Sequence, residues 1–431
     1  NFAKIPNNAQ TMKVVIISTS DNKGGAAIVA TRLLNQLPLN GIDATMLAMH
    51  KYSDNPRVVE YGNNLKGKAY FLSERLQIFL HNKFSRENLF KVSTARYGFD
   101  LSRHPLVNDS DVIILNWINQ GALSLDSIDK ICLLGKPVVW IMHDMWQATG
   151  ICHYSMECDR YKTECGKCKF LKSKNRADLS YITLLRKQKL YSRHHNLHFI
   201  AISNWIRGVC RESELLAHKN VVQIPNVFPV NDFDYHRAHT LPDIPAGKCV
   251  IVLGAARLDV PIKGLDILIE TTKILVQKYP ETAKDLHLVT YGDIRNPELL
   301  KEIEISHTHI GKVSRREDIA EIYRNGDIVL SVALFETLPT TLIEGAAAGC
   351  TPVTFGNSGQ ADIVTDGITG YIAEYKSVKS VAEKLVYASH NLIDREYLHK
   401  YIDNRYSAQA VAEQYNTLFQ SLLHQQATKP E

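Results

Sequence analysis

The chain has no run of about 18 or more apolar residues, so no segment is long and apolar enough to cross a bilayer as a helix. It also lacks, at its start, the order of basic, apolar and small residues that marks a secretory signal. Residues 1–11 are polar and patternless, so the fold is expected to begin at Met12, and the protein is expected to work in the cytoplasm. Charge of one sign is scarce too. Fifty Lys and Arg against 45 Asp and Glu leave +5, too little to attract nucleic acid generically, so an anionic partner must be recognised by a local site. Eight cysteines in 431 residues are too few for a disulfide scaffold, yet four of them crowd between Cys152 and Cys168. What remains is an ordinary globular mixture, 45% apolar and 22% charged, at a length that admits two or three domains.

From Met12 onward, short apolar runs alternate with amphipathic stretches. A strand at 14–17, a turn at Gly24-Gly25 and a helix over about 26–37 form the first β-loop-α unit. Further strands are expected at 45–49, 112–115, 138–142, 199–202 and 221–224. The periodicity then stops at Ile224-Pro225-Asn226 and a polar, proline-containing segment follows, which places a linker at 226–247. Alternation restarts with strands at 250–253, 286–291, 328–331, 352–355 and 371–372, and with helices at 265–278, 317–325, 340–348 and 378–388. The expected organisation is an α/β protein with two Rossmann-like, doubly wound domains, 12–225 and 248–393, and a helical tail at 394–423. Ligands of such sheets bind at the carboxyl ends of the strands, so function is expected in a cleft where both sheets present those ends.

The most informative segment runs from Phe335 to Gly349 and carries Glu336 and Glu344 eight positions apart. Pro339 suits a first helical turn, where the next backbone N–H groups and the Thr340 and Thr341 hydroxyls would form an anion site. Glu344, one turn in, can accept two hydrogen bonds from a vicinal diol such as a ribose, and Glu336, ahead of the helix, can reach a sugar beyond the phosphates. The same spacing also describes a capped helix with two surface glutamates. Arg257 and Lys263 flank the turn after the second domain's first strand and could clamp a diphosphate in place of a metal, or could be solvated loop charges. Of the two Asp-x-Asp triplets, Asp109-Ser110-Asp111 precedes a strand and Asp232-Phe233-Asp234 lies in the linker, so neither sits where a metal-diphosphate site would need it. In the first domain, His143 closes the strand at 138–142, at the carboxyl edge, with Asp144 beside it; a satisfied core histidine is the other reading.

Taken in order, these pieces resemble the retaining glycosyltransferases of family 4, also called glycosyl transferases group 1, which have the GT-B fold. They are Gly24-Gly25, His143-Asp144, Ile224-Pro225-Asn226, Gly254-Ala255-Ala256-Arg257-Leu258 with Lys263-Gly264, Ile310-Gly311, the paired glutamates, Gly349-Cys350-Thr351-Pro352-Val353 and Asp366-Gly367-Ile368-Thr369-Gly370. The resemblance spans about 12–388 and is strongest in the second domain. It implies transfer of a sugar from a nucleotide-diphosphate donor to a glycan or lipid-linked saccharide, in capsule, lipopolysaccharide or related cell-surface polysaccharide synthesis, with no cofactor required for catalysis. Glu336, His143, Arg257 and Lys263 would then be catalytic. Glu344, Leu338, Thr340, Thr341, Gly24 and Gly25 would bind donor, and Asp144 would lie on the acceptor side. The chain departs from the family at Leu338-Pro339, where a glycine-rich tract is usual and where Pro339 removes one N–H donor. Rival readings are a nucleotide-sugar epimerase or glycan phosphorylase on the same fold, or a zinc-containing nucleic-acid binder.

The spacing of Cys152, Cys158, Cys165 and Cys168 ends in a C-x-x-C knuckle and suits a structural, tetrahedral zinc, with His153 as a substitute ligand; reduced thiols in a polar loop are the alternative. Residues 160–193 hold eleven Lys or Arg against Glu164 and Asp178. That run is expected to form a solvated basic helix face, or to meet anionic lipid at the inner face of the plasma membrane. Residues 66–91 are also basic and carry Phe71, Leu76, Phe79, Leu80, Phe84 and Leu89 at helical spacing, which predicts core packing.

Overall fold

The computed structural model describes residues 11–62, 64–173, 175–241 and 244–428. The chain divides into two compact units. One contains the chain up to Ile202, Ile206–Val227 and the end from Val411; the other contains Ser203–Trp205 and Phe228–Ala410.

The first unit holds a seven-stranded sheet built from β1 (Lys13–Ser20), β2 (Asp43–His50), β3 (Val58–Glu60), β4 (Val112–Leu115), β5 (Val138–Met142), β6 (Leu197–Ala201) and β7 (Val221–Gln223). Its order is β3-β2-β1-β4-β5-β6-β7, and each neighbouring pair is parallel. The central strands are buried on both faces, so they read as unbroken apolar runs; Val112 to Leu115 and Val138 to Met142 are all buried.

The second unit repeats the design with β8 (Cys249–Arg257), β9 (Leu286–Asp293), β10 (His307–Gly311), β11 (Ile328–Ser331), β12 (Thr351–Phe355) and β13 (Tyr371–Ala373), in the order β10-β9-β8-β11-β12-β13. All five pairings are parallel. Both sheets therefore reverse their winding beside their first strand, between β1 and β4 and between β8 and β11. Those are the switch points at which open α/β sheets take ligands.

Two edge strands, β3 and β10, were not expected. Each has one covered side at most: two of the three β3 residues are exposed and all of β10 is at least partly exposed, so neither shows the apolar run of an inner strand. The tail forms two helices, Arg395–Tyr406 and Ala408–Ala427, broken at Ser407. The second buries Val411, Ala412, Tyr415, Phe419 and Leu422 on one face and belongs to the first unit.

The helix Asn64–His81 corrects an expectation. Of the residues expected to pack in the core, Leu76, Leu80 and Phe84 are 49–70% exposed and, with Leu65, Leu72 and Phe90, face outward, whereas Phe71 and Phe79 are half-buried and Leu89 packs against a buried cluster. The inward side packs the fully buried Ile78 against Val92, Ile151 and Leu171 and adds polar chemistry beside it. Glu74 is fully buried and accepts from Ser93 Oγ (2.8 Å), Thr94 N (2.7 Å) and Ala95 N (2.8 Å), while its other oxygen pairs with Arg75 at 2.6 Å. Arg75 in turn donates to the Leu89 and Val92 carbonyl oxygens. Turning the leucines inward would strand this buried ion pair without its partners.

Candidate functional site

In the first unit the candidate residues gather at the β1/β4 switch and the neighbouring end of β5. Gly24 has φ +93°, a conformation that favours glycine, and a side chain there would meet nothing within 4 Å, so the start of the helix Gly25–Gln36 is open. Asn116, just past β4, ties the elements together. Its Nδ2 donates to Ser18 Oγ (3.1 Å) and to the Ala26 carbonyl (3.2 Å), and its Oδ1 lies 2.6 Å from His143 Nε2. Burial pushes the His143 imidazole down to about 4, against the pull of the Asp144 carboxylate, so the ring is neutral at physiological pH.

Asp144 is buried and already well supplied with donors. Its Oδ2 accepts from His153 Nδ1 (2.8 Å) and Trp117 Nε1 (3.1 Å), and its Oδ1 from Trp146 N (2.8 Å). Burial alone would raise its carboxyl, but His153 and these donors outweigh that and hold it below the ordinary carboxylate range. The Trp117 and His153 rings lie 5.8 Å apart. Asn116, Trp117 and the Asp144–His153 link escaped sequence reasoning; the only signal was their place just after strand ends.

In the second unit the candidates gather at the β8/β11 switch. Lys263 Nζ and Glu336 Oε1 are ion-paired, with both side chains partly exposed. Gly264 makes this possible: at φ +74°, a Cβ would stand 2.2 Å from the Val332 carbonyl oxygen, so only glycine lets the Lys263 turn lie against the end of β11. The Glu336 backbone is held by the loop after β12, through Ser358 Oγ (3.1 Å) and Gly359 N (2.8 Å). Gly359 too has no room for a side chain, since a Cβ would sit 2.0 Å from the Thr337 carbonyl oxygen. Arg257 ends β8 with its Nε 3.1 Å from Asp259.

Pro339 precedes the helix Thr340–Ala347, whose first N–H groups have no acceptor within the helix. Thr340 is exposed, Thr341 half-buried and Leu338 buried. Glu344, half-buried one turn in, is hydrogen-bonded by the Tyr291 hydroxyl, which also lies 3.0 Å from the Tyr323 hydroxyl. The Tyr291 ring fits because residue 254 is glycine; a Cβ there would fall 2.0 Å from the ring. Tyr291 was not picked out from the sequence, although Gly254 was.

The four cysteines Cys152, Cys158, Cys165 and Cys168 line one small cavity and none is in a disulfide. As placed, no group of three or more His, Cys, Asp or Glu among the described residues is arranged to hold a metal ion. His153 turns its Nδ1 to Asp144 instead. The basic run at 160–193 is less of a bare patch than its sequence suggests. Lys162, Lys172, Arg176, Arg186 and Arg193 are paired with carboxylates, and Lys187 is fully buried.

Two parallel, doubly wound sheets, each with its candidate residues at its switch point, are the pair of domains that makes up the GT-B fold of glycosyltransferases. Residues 248–391 match the family described as glycosyl transferases group 1, so the chain carries a group 1 glycosyl transferase domain. It is 24% identical over 236 residues to the poly(ribitol-phosphate) alpha-N-acetylglucosaminyltransferase of Staphylococcus aureus strain COL, covering 52% of this chain and 46% of that protein. It is also 24% identical over 190 residues to the capsular polysaccharide biosynthesis glycosyltransferase CapM of Staphylococcus aureus, covering 41% and 48%. The matches thus span about half the length of these curated relatives. Among solved structures, Anabaena HepE in complex with UDP and glucose superposes with a TM-score of 0.60 at 16% identity, over 95% of this chain and 100% of that one. A glycosyltransferase from Rickettsia africae gives 0.61 at 14% identity, over 96% and 99%.

Proposed function

We propose that the protein is a retaining glycosyltransferase that moves a sugar from a nucleotide-diphosphate sugar to a glycan or lipid-linked saccharide in cell-surface polysaccharide synthesis. The observation that carries this reading is the convergence, at one sheet's switch point, of two cations, a helix start and two differently placed glutamates. Arg257, Lys263 and the N–H groups after Pro339 suit a diphosphate; Glu344, steadied by Tyr291, suits a ribose diol; Glu336 suits the sugar beyond. When the bond from the anomeric carbon to the diphosphate oxygen breaks, negative charge grows on that oxygen. Cations fixed beforehand then gain interaction energy in the transition state. The names of the two staphylococcal relatives and the UDP-bound neighbour support the same donor and acceptor classes.

On this reading the protein works in the cytoplasm, at the inner face of the plasma membrane. No described helix is long and apolar enough to cross a membrane. The outward stripe of Leu65, Leu72, Leu76 and Leu80, with Phe84 and the cations Lys66, Lys68, Lys83 and Arg86 nearby in sequence, supports peripheral contact with anionic lipid. Catalysis requires no cofactor in this scheme, and nucleic acid is not a partner.

The test is a thermal-shift screen of the purified chain against nucleotides and nucleotide sugars, followed by product analysis with the stabilising donor. Selective stabilisation and transfer to a saccharide with the anomeric configuration kept are expected. Epimerised donor in the absence of acceptor, a reaction that needs inorganic phosphate, or salt-sensitive binding of generic RNA with indifference to nucleotide sugars would overturn the proposal.

A further inference from the structure

Cys152, Cys158, Cys165 and Cys168 line a cavity of about 20 Å³ in the first unit, bounded by Ile151, Tyr161 and Phe170. That is room for about one water-sized sphere. Backbone N–H groups are aimed at two of the sulfurs, from Gly150 to Cys165 and from Phe170 to Cys168. The turn between the last two cysteines is held in an uncommon shape. Gly166 has φ +142°, where a Cβ would stand 2.4 Å from the Arg176 carbonyl oxygen, and Lys167, not a glycine, has φ +45°. The turn is anchored from outside the cluster, because Cys168 N donates to Asp178 Oδ2 at 2.7 Å, and Asp178 Oδ1 caps the helix Leu179–Arg193. On that helix Lys187 is fully buried, its ammonium 3.3 Å from the centre of the Trp146 ring and bonded to the Trp146 and Thr149 carbonyl oxygens.

We propose that Cys152, Cys158, Cys165 and Cys168 together ligate one zinc ion. Four thiolates and no open position make the site structural, and sulfur ligands select zinc over magnesium or calcium. Each thiol gives up its proton on binding, and the sulfurs draw in to about 2.3 Å from the ion. The ion would fix the segment that carries His153. Ser93 N donates to the Ile151 carbonyl (2.8 Å) and His153 N to the Lys91 carbonyl (3.2 Å), so the strip leads from the cysteines directly to the His153–Asp144 bond.

The test reads metal and not transfer, so its failure is separate from failure of the proposed activity. The full chain is purified reduced, stripped of loosely held ions and analysed for metals, and the zinc absorption edge is measured. About one zinc per chain with an all-sulfur shell is expected. Cys158→Ser and Cys165→Ser should each lose most of that zinc, while Cys249→Ser, in the other unit, should keep it. If the variants do not fold, alkylation mapping of the intact chain replaces them, and the four thiols should react only after a strong chelator is added. Reduced protein with no zinc that takes up none when supplied, iron in its place, a shell with nitrogen or oxygen ligands, or two disulfides among the four cysteines would each overturn the proposal.

Discussion

Replacing Tyr291 by Phe isolates one link in the donor site. The ring is buried and lies over Gly254, so Tyr291→Phe keeps the packing and removes only the hydroxyl that bonds Glu344 and faces Tyr323. A hydrogen bond to a charged group contributes about 1.5–3 kcal/mol when nothing replaces it. Here Glu344 is only half-buried, so water takes up part of the loss and about 1 kcal/mol should remain, roughly a fivefold weaker nucleotide complex. Glu344→Ala removes the diol acceptor itself and should cost more, about 1–3 kcal/mol. The assay is calorimetric titration of each full-length variant with the nucleoside diphosphate that stabilises the parent protein most. If Glu344→Ala binds that nucleotide as tightly as the parent, the ribose role is wrong; if Glu344→Ala is weak but Tyr291→Phe is unchanged, the tyrosine does not position the carboxylate.

Glu336→Ala should lower turnover more than donor affinity, because its partner is the reacting sugar; equal losses in kcat and in nucleotide-sugar binding would contradict that division. Lys263→Ala should slow transfer about a hundredfold, a loss of about 3 kcal/mol, and Arg257→Lys should not restore what Arg257→Ala loses, because an ammonium lacks the two-pronged guanidinium contact. Transfer should persist after free divalent ions are removed with a weak chelator, and activity that returns only with added magnesium or manganese would show that a metal carries the diphosphate. Folding stability should fall as the pH drops from about 6.5 towards 4, since the unfolded chain takes up a proton at position 143 that the folded chain refuses until about 4. Denaturant titrations of His143→Gln should show a shallower fall over that window. Leu72→Ser with Leu76→Ser should reduce co-sedimentation with anionic vesicles and leave nucleotide binding intact; unchanged sedimentation would remove the membrane role of the stripe.

Inner strands were legible because burial on both faces leaves an unbroken apolar run, as at 112–115, 138–142 and 328–331, where expected and observed limits coincide. β3 escaped because it is only three residues long with two of them exposed, and β10 because His307, Thr308 and His309 break the apolar run. Helical spacing picked out apolar residues at 66–91, yet it could not say which of them the fold covers: Leu76 and Leu80 face out, while Leu89, beyond the helix, packs inside. That depended on Glu74 finding its donors at Ser93, Thr94 and Ala95, on a different segment. The candidate site shows the same division. Single residues at strand ends were readable, but their partnerships were not: Lys263 with Glu336 is a contact across 73 positions, and Tyr291 reaches Glu344 only because residue 254 has no side chain.

Those partnerships follow from strand order. In each sheet the first strand lies beside the fourth, so the loops that leave β1 and β4, or β8 and β11, emerge side by side although some 70 to 100 residues separate them. Asn116 can therefore hold both the Ala26 carbonyl and His143, and Gly264 can bring Lys263 against the end of β11. A mutation that leaves every candidate side chain in place but widens the β8/β11 crossing should thus disable the donor site. Gly264→Ala is the sharpest such change, since its Cβ would fall 2.2 Å from the Val332 carbonyl oxygen and its φ of +74° disfavours any side chain. It should separate Lys263 from Glu336 and cost nucleotide affinity without touching either charge. Full affinity in a folded Gly264→Ala protein would mean that the two loops need not meet for the donor to bind.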